Sequence, residues 1–264
     1  MHTFRIKLRI KLKKTISRGV LLANILTNCL PRKLKSKFIF LMFLLEGHSM
    51  NPRKDLVELL LIKDELEKLI NNRALAFGNG EHPKHYLTKY HDFFIENISD
   101  GESVLDIGCG YGAVARNIAK QRPNSIIIGI DNNELRLRQA VESDNPKNLT
   151  FIYGDATRNV QNKNWDVVVL SNVLEHIDNR VEFLNSIRDA TKAKKFLIRV
   201  PCFERNWQVP LREKLGINYF TDDDHKIEHK LNEFHLEISN ANLEATSIIT
   251  NWGEIWAVCT KVNK

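Results

Sequence analysis

The sequence predicts an α/β fold, a doubly wound parallel sheet with helices on both faces, preceded by an N-terminal helical extension. Three observations predict it. From residue 103 onward, short apolar runs alternate with helical patterns. Several of those runs, IIIGI and VVVL among them, are apolar without interruption, which marks strands buried on both faces. The first run, VLDIGCGYGAVARNIA over 104–119, passes through a glycine-rich turn into a helix, the local order of a nucleotide site.

The chain of 264 residues is long enough for one large α/β domain plus an extension. Its net charge of +7 invites a nucleic-acid partner, but the charge is local. All acids lie beyond residue 45, whereas Arg5, Lys7, Arg9, Lys11, Lys13, Lys14, Arg18, Arg32, Lys33, Lys35 and Lys37 crowd the start. The rest carries more acids than bases, so only the arm is basic. The arm opens with FRIKLRIKLKK, continues through ISRGVLLANILTNCL, and reaches the apolar run Phe38–Leu45. A membrane span needs roughly 20 apolar residues, so this run is too short to cross alone. Nor does a small-residue cleavage site follow the VLLANIL patch, as a secretory signal requires. A mitochondrial transit peptide, basic and poor in acids, fits the arm without being demanded, and two further readings remain. Residues 1–45 form basic amphipathic helices that touch a membrane surface or an acidic partner. Alternatively, Phe38–Leu45 packs on the body and the charges are its solvated face.

From Asn51-Pro52, LVELLLIKDELEKLI reads as an amphipathic helix. The glycines of AFGNGEHPKH make a loop, Pro83 suits a first helical position, and Leu87, Tyr90, Phe94 and Ile98 line one helical face. Then come strand SVLDIG and helix 112–121, strand SIIIGID and helix 133–143, and strand NLTFIYG with a short turn or helix. WDVVVLS is a strand before helix 178–191, and KKFLIRV is the next strand. Past Pro201 the order loosens, with a helix over 228–241 and two final strands, EATSIIT and EIWAVCT, in a hairpin across NWG. Three divisions follow: a basic arm over 1–50, a helical lid or cap over 51–98, and a ligand-binding domain over 99–264. Cys29, Cys109, Cys202 and Cys259 form no CxxC pair and no zinc-ligand cluster. They read as reduced thiols of a cytoplasmic protein, with the arm allowing peripheral contact at the inner membrane face.

The strand ends narrow the ligand. The glycine spacing is GxGxG, not the GxGxxG of dinucleotide binders. Asp106, two residues before the first glycine, would repel a pyrophosphate but suits a cationic amino group. Asp131 ends the second strand, where a carboxylate can accept both ribose hydroxyls. Asp155 ends the third, within reach of an exocyclic adenine amine. Plain alternatives exist: Asp155 and Asp131 as helix or turn caps, and Asp106 as a buried turn carboxylate.

As a set, VLDIGCGYG, IIIGID, FIYGDA and DVVVLSNVLEHI resemble the motifs of class I S-adenosylmethionine-dependent methyltransferases, in their usual order. The match is strong over about residues 85–205 and belongs to the Rossmann-like, methyltransferase-domain branch with an LEHI motif. The resemblance implies a seven-stranded sheet of order 3-2-1-4-5-7-6, with the last strand antiparallel. It implies S-adenosyl-L-methionine as cofactor. It places Asp106, Gly108, Cys109, Gly110 and Gly112 at the methionine part, Asp131 with Asn132 at the ribose, Asp155 and Ala156 at the adenine, and Asn172 near the sulfonium.

Methyl transfer to a hydroxyl needs a base, and His and carboxylates serve most often. His225, in TDDDHKIEHKL, and His176, in LEHI, are the candidates. The plain alternatives are a solvated loop for His225 and a structural, turn-packing role for His176. Glu81, His82 and His85 precede the first strand, where they could touch a ligand or merely cap a helix. An ExxEHH metal arrangement is not met, because Asn172 and Ile177 replace its first and last residues, so no metal is expected. The run SNVLEH lacks the (D/N)PP(Y/F) of nucleobase amino-methylation and carries no cysteine for cysteine-based RNA chemistry. A small-molecule, sugar or lipid-linked glycan acceptor suits the membrane-leaning arm, and the resemblance of GNGEHPKH and NWGEIWAV to methyltransferases of polysaccharide gene clusters implies methylation of a sugar oxygen. RNA or protein methylation through the basic arm, and a non-catalytic binding module, are the alternatives. An NAD(P) oxidoreductase is opposed by the glycine spacing and Asp106.

Overall fold

The computed structural model describes residues 31–80, 82–156 and 163–262. Most of the basic arm, Cys29, Glu81 and the turn after the third strand lie outside the described residues. The chain divides into two compact units, residues 1–72 and 73–264. The first contains helix α1 (Arg32–Glu46) and most of α2 (Pro52–Phe77). None of α1's residues is buried. Among the described residues no helix is long and apolar enough to cross a membrane. The Asp55 carboxylate, at the start of α2, accepts the Ser49 N–H (2.9 Å), and Asn51 Oδ1 accepts the Arg53 N–H (3.1 Å). These bonds satisfy donors where the helix begins.

In the second unit, α3 (Lys84–Thr88) and α4 (Tyr90–Glu96) stand where one helical face was expected. Lys89 adopts φ 52° and breaks the helix. Leu87 is consequently 63% exposed, while Tyr90, Phe94 and Ile98 are buried. Next come β1 (Ser103–Ile107), α5 (Ala113–Gln121), β2 (Ile126–Asp131), α6 (Glu134–Glu142), β3 (Leu149–Tyr153) and β4 (Val167–Ser171). A 3-10 turn (Leu174–His176), α7 (Arg180–Thr191) and β5 (Lys195–Pro201) follow. The segment past Pro201 is more ordered than its sequence suggests, with α8 (Gln208–Leu215) before α9 (Leu231–Asn240), β6 (Leu243–Asn251) and β7 (Glu254–Lys261).

The seven strands run in the order β3-β2-β1-β4-β5-β7-β6, with β7 antiparallel to both neighbours. Neighbouring side chains on a strand point to opposite faces. Val167 and Val169 join one core with Phe93, Phe94, Ile118 and Trp256, whereas Val168 and Leu170 join the other with Phe183, Ile187 and Phe234. Both faces are covered, which is why these strands are apolar throughout. The β6–β7 hairpin closes on Trp252 (φ 52°) and Gly253 (φ 78°). Two consecutive positive φ values make the tight turn whose twist matches the strands. The parallel strands β1 to β5 end on one edge, so their C-terminal loops converge there.

Candidate active site

At that edge lies a cavity of about 290 Å³. Its lining includes Gly108, Asp131, Asn132, Asp155, Ala156 and Asn172, all expected from the sequence, and His176. Asp106, Cys109, Gly110, Gly112 and His225 are not part of the lining. Asp106 lies in β1, and Cys109, Gly110 and Gly112 belong to the turn after it that shapes the wall. Gly108 has φ 70°, and a Cβ there would meet Val173 Cγ2 at 2.7 Å. Gly112 has φ 76°, and a Cβ there would overlap the Phe151 ring. Any other residue would thus face both a strained backbone and a clash. Burial above all pushes the Cys109 thiol pKa up.

Asp106 is only 1% exposed. Its carboxyl accepts the Ala115 N–H in the first turn of α5, while Oδ2 has no partner. Burial pushes its pKa up to about 8. Asp131 is the hinge of the site: Oδ2 accepts the Gly110 N–H (2.7 Å) and Oδ1 accepts the Asn133 N–H (2.7 Å). The N-cap of α6 is Asn133, whose Oδ1 accepts the Arg136 N–H (3.1 Å), so Asp131 is not spent as a plain cap. Each carboxylate oxygen keeps a lone pair for a further donor. Asn172 sits at φ 56°, its N–H bonded to the Arg199 carbonyl (2.8 Å), and its buried Oδ1 has no partner. A left-handed residue with an unsatisfied amide oxygen at a cavity wall could accept a hydrogen bond from a ligand.

Ile107, Ile130, Ile177 and Phe183 complete the lining with apolar surface. Sequence reasoning did not single them out, although the first two end apolar strand runs. Apolar lining beside Asp131 and Asp155 suits a flat base joined to a ribose. These residues fit an adenosyl ligand carrying an amino acid better than they fit a phosphate.

His176 lines the cavity with Asp224, whose Oδ2 is 3.4 Å from its Nδ1. Burial lowers the pKa of His176. His225 is not in a solvated loop: it is 6% exposed, and its ring is 4.7 Å from that of His176, edge to face. Its Nδ1 is 3.0 Å from Glu228 Oε1. Burial works to lower the pKa of His225, but the Glu228 hydrogen bond and the Glu175 charge outweigh it and the net shift is upward. Glu228 also accepts the Thr221 N–H (2.7 Å) and pairs with Arg205 (2.5 Å). Glu175, weighed in the sequence only as part of an unmet ExxEHH pattern, is fully buried, and burial pushes its pKa up to about 8. Of the histidines before β1, His82 Nδ1 accepts the Lys84 N–H (3.1 Å), a capping role, and His85 Nδ1 is 2.7 Å from the Tyr90 hydroxyl.

Known proteins give this arrangement a family. A family model described as a methyltransferase domain matches residues 98–251. The chain is 29% identical over 102 residues to a ubiquinone biosynthesis O-methyltransferase of Rickettsia bellii, covering 39% of this chain and 42% of that protein. It is 29% identical over 102 residues to an (S)-tetrahydroprotoberberine N-methyltransferase of Eschscholzia californica, covering 37% and 29%. The chain therefore spans less than half the length of these curated relatives. Among solved structures, it resembles a Haloferax volcanii methyltransferase in complex with its Trm112 activator, with TM-score 0.57, 16% identity and coverage of 70% and 93%. It also resembles a magnesium protoporphyrin IX methyltransferase from Synechocystis PCC 6803 with bound S-adenosylhomocysteine, with TM-score 0.53, 14% identity and coverage of 66% and 83%. At such identities the structural likeness is one of fold. With the family model covering more than half of the chain, and the sheet order and the cavity both as that fold requires, the chain belongs to the methyltransferase-domain family of Rossmann-like S-adenosylmethionine-dependent methyltransferases.

Proposed function

We propose that this protein methylates a hydroxyl of a small-molecule, sugar or lipid-linked glycan acceptor. The observation that carries this reading is the buried His225–Glu228 pair beside His176 at the rim of the donor cavity. A carboxylate on Nδ1 fixes the imidazole tautomer and leaves Nε2 to take a proton. The bound donor supplies an electrophilic methyl on a sulfonium. The acceptor oxygen forms the new O–C bond as the C–S bond breaks, its electron pair stays on sulfur, and the hydroxyl proton passes to His225. Asp106 faces the ligand's ammonium end through the glycine turn, Asp131 and Asn132 hold the ribose, and Asp155 with Ala156 borders the base. Gly108, Cys109, Gly110 and Gly112 form the backbone wall, and Asn172 offers its Oδ1 near the sulfonium.

The test is methyl transfer from labelled S-adenosylmethionine to a panel of sugars, lipid-linked glycans, small hydroxyl compounds, RNA and protein. Label in a hydroxyl acceptor supports the reading, and label only in RNA or protein sinks it. His225→Gln is expected to lower kcat by about 10²–10⁴-fold while S-adenosylhomocysteine affinity, measured by calorimetry, stays as in wild type.

A lipid-linked acceptor is favoured by α1. Phe38, Ile39, Phe40, Leu41, Leu44 and Leu45 are all exposed, and Arg32, Lys33, Lys35 and Lys37 precede or flank them. Apolar residues behind a basic start suit an anionic lipid surface. Flotation with vesicles should show binding to anionic but not to zwitterionic lipid, and Phe38→Asp with Phe40→Asp should release the protein. Equal recovery with both vesicle types would remove this support.

A further inference from the structure

Around Glu175-His176 the local sequence lacks a third metal ligand, but the fold brings one from 49 residues away. The Lys226 N–H donates to the Glu175 carbonyl at 2.7 Å, which lays the segment carrying His225 against the 3-10 turn after β4. Glu175, His176 and His225 each offer one ligand atom, and the three atoms lie within 4.8 Å of one another.

Two features distinguish this cluster from an ordinary polar patch. Glu175 is 0% exposed, and neither carboxylate oxygen has a hydrogen-bond partner. Burying a carboxylate is unfavourable unless a cation or a donor compensates it. The charges of His225 and Arg199 reach Glu175 without outweighing its burial, and Arg199 gives it no hydrogen bond, because its Nε and Nη2 are bound by Glu254 at 2.6 and 2.5 Å. The second feature is the support behind His225. Glu228 engages its Nδ1 at 3.0 Å and is itself anchored by Arg205 and the Thr221 N–H. A carboxylate behind an imidazole is the outer layer usual for a metal-ligating histidine, since it sets the tautomer and directs the other nitrogen to the ion.

We propose that Glu175, His176 and His225 form a three-ligand site for a divalent transition-metal ion at the acceptor end of the active site. Two imidazoles and one carboxylate suit zinc, cobalt or iron(II) better than magnesium or calcium, which take oxygen ligands. Three protein ligands leave a coordination position open, the composition of a catalytic rather than a structural site. This inference rests on the hydroxyl-acceptor reading for its role. An ion there takes the imidazole lone pairs, draws the acceptor hydroxyl to its open position and eases loss of the hydroxyl proton to solvent. In the ion-free protein the imidazole takes that proton itself.

The probe is cobalt(II), titrated into the full chain after treatment with a chelator and followed by its visible absorption, with zinc calorimetry as the second measurement. One equivalent is expected to bind. Glu175→Gln keeps the shape and removes the charge, and should weaken binding by more than about 100-fold. Glu228→Gln should weaken it by about 10–100-fold, the usual cost of losing an outer-layer partner. His235→Gln, on the exposed face of α9, should leave it unchanged. Bound S-adenosylhomocysteine in each variant reports that the fold is intact. Wild-type-like cobalt binding by a folded Glu175→Gln, or no stoichiometric binding by wild type, overturns the site. Because the readout needs no acceptor, it is independent of the hydroxyl-acceptor reading. Metal binding without transfer to any hydroxyl would support the site and remove only the hydroxyl-acceptor reading.

Discussion

Asp131→Ala is expected to weaken S-adenosylhomocysteine binding by about 100-fold or more. The carboxylate has two tasks. It ties the glycine turn after β1 to the start of α6 through the Gly110 and Asn133 amides, both at 2.7 Å. It also lines the cavity at the place where a ribose would sit. Hydrogen bonds to a charged group contribute about 1.5–3 kcal/mol each. Losing two to a ribose therefore amounts to at least about 3 kcal/mol, or about two orders of magnitude in affinity. Asp131→Asn keeps one acceptor oxygen and should fall between the two. Calorimetry on folded variants measures both, and an unchanged affinity in Asp131→Ala would mean that the cavity does not hold an adenosyl ligand in this orientation.

The second large effect is a pH dependence set by Asp106. Burial raises its pKa from 3.8 to about 8, so the folded, ligand-free protein carries it protonated at neutral pH. A cationic amino acid group beside the glycine turn favours the ionised form, so binding must release a proton below that value. Affinity for S-adenosylhomocysteine should then rise by up to about tenfold per pH unit between about pH 5.5 and 7.5 and level off above about 8. Calorimetry in buffers of differing ionisation heat should register close to one proton released at pH 6.5, and Asp106→Asn should flatten the profile. The sign for stability is opposite. A carboxyl whose folded value exceeds its unfolded one holds a proton that the unfolded chain releases, so the ligand-free protein loses stability as pH rises from about 4 to about 8. Asp106→Asn removes that loss, and its melting temperature should vary less with pH than wild type across that interval. A wild-type affinity independent of pH would show that Asp106 does not sense the ligand.

Much of this was legible in the sequence. The runs around Val104, Ile127 and Val167 to Leu170 announce strands because both of their faces are buried, so periodicity gives way to continuous apolarity. Asn251-Trp252-Gly253 announces its hairpin because a two-residue turn needs positive φ and glycine supplies it. The break at Lys89 was not legible, since apolar spacing continues across it from Leu87 to Tyr90 and Phe94. Helix α8 was missed for a related reason: it buries only Val209 and Arg212, too few positions to make a period. Glu175 was weighed only against a local ExxEHH pattern, because a third ligand brought from a distant loop leaves no mark beside it in the chain.

The sequence by itself determined the order of strands and helices, the glycine turn and the carboxylates at the strand ends. Each of these is a short-range property: side-chain alternation, backbone freedom or position within a few residues of a strand end. Only the tertiary structure decided that His225 is buried, that Glu228 stands behind it, and that both approach His176 and Glu175. That meeting depends on a backbone hydrogen bond between Lys226 and Glu175 and on the packing of the segment after α8. Contacts across such a separation leave no periodic trace in the chain, because they are set by where the sheet edge brings two loops together.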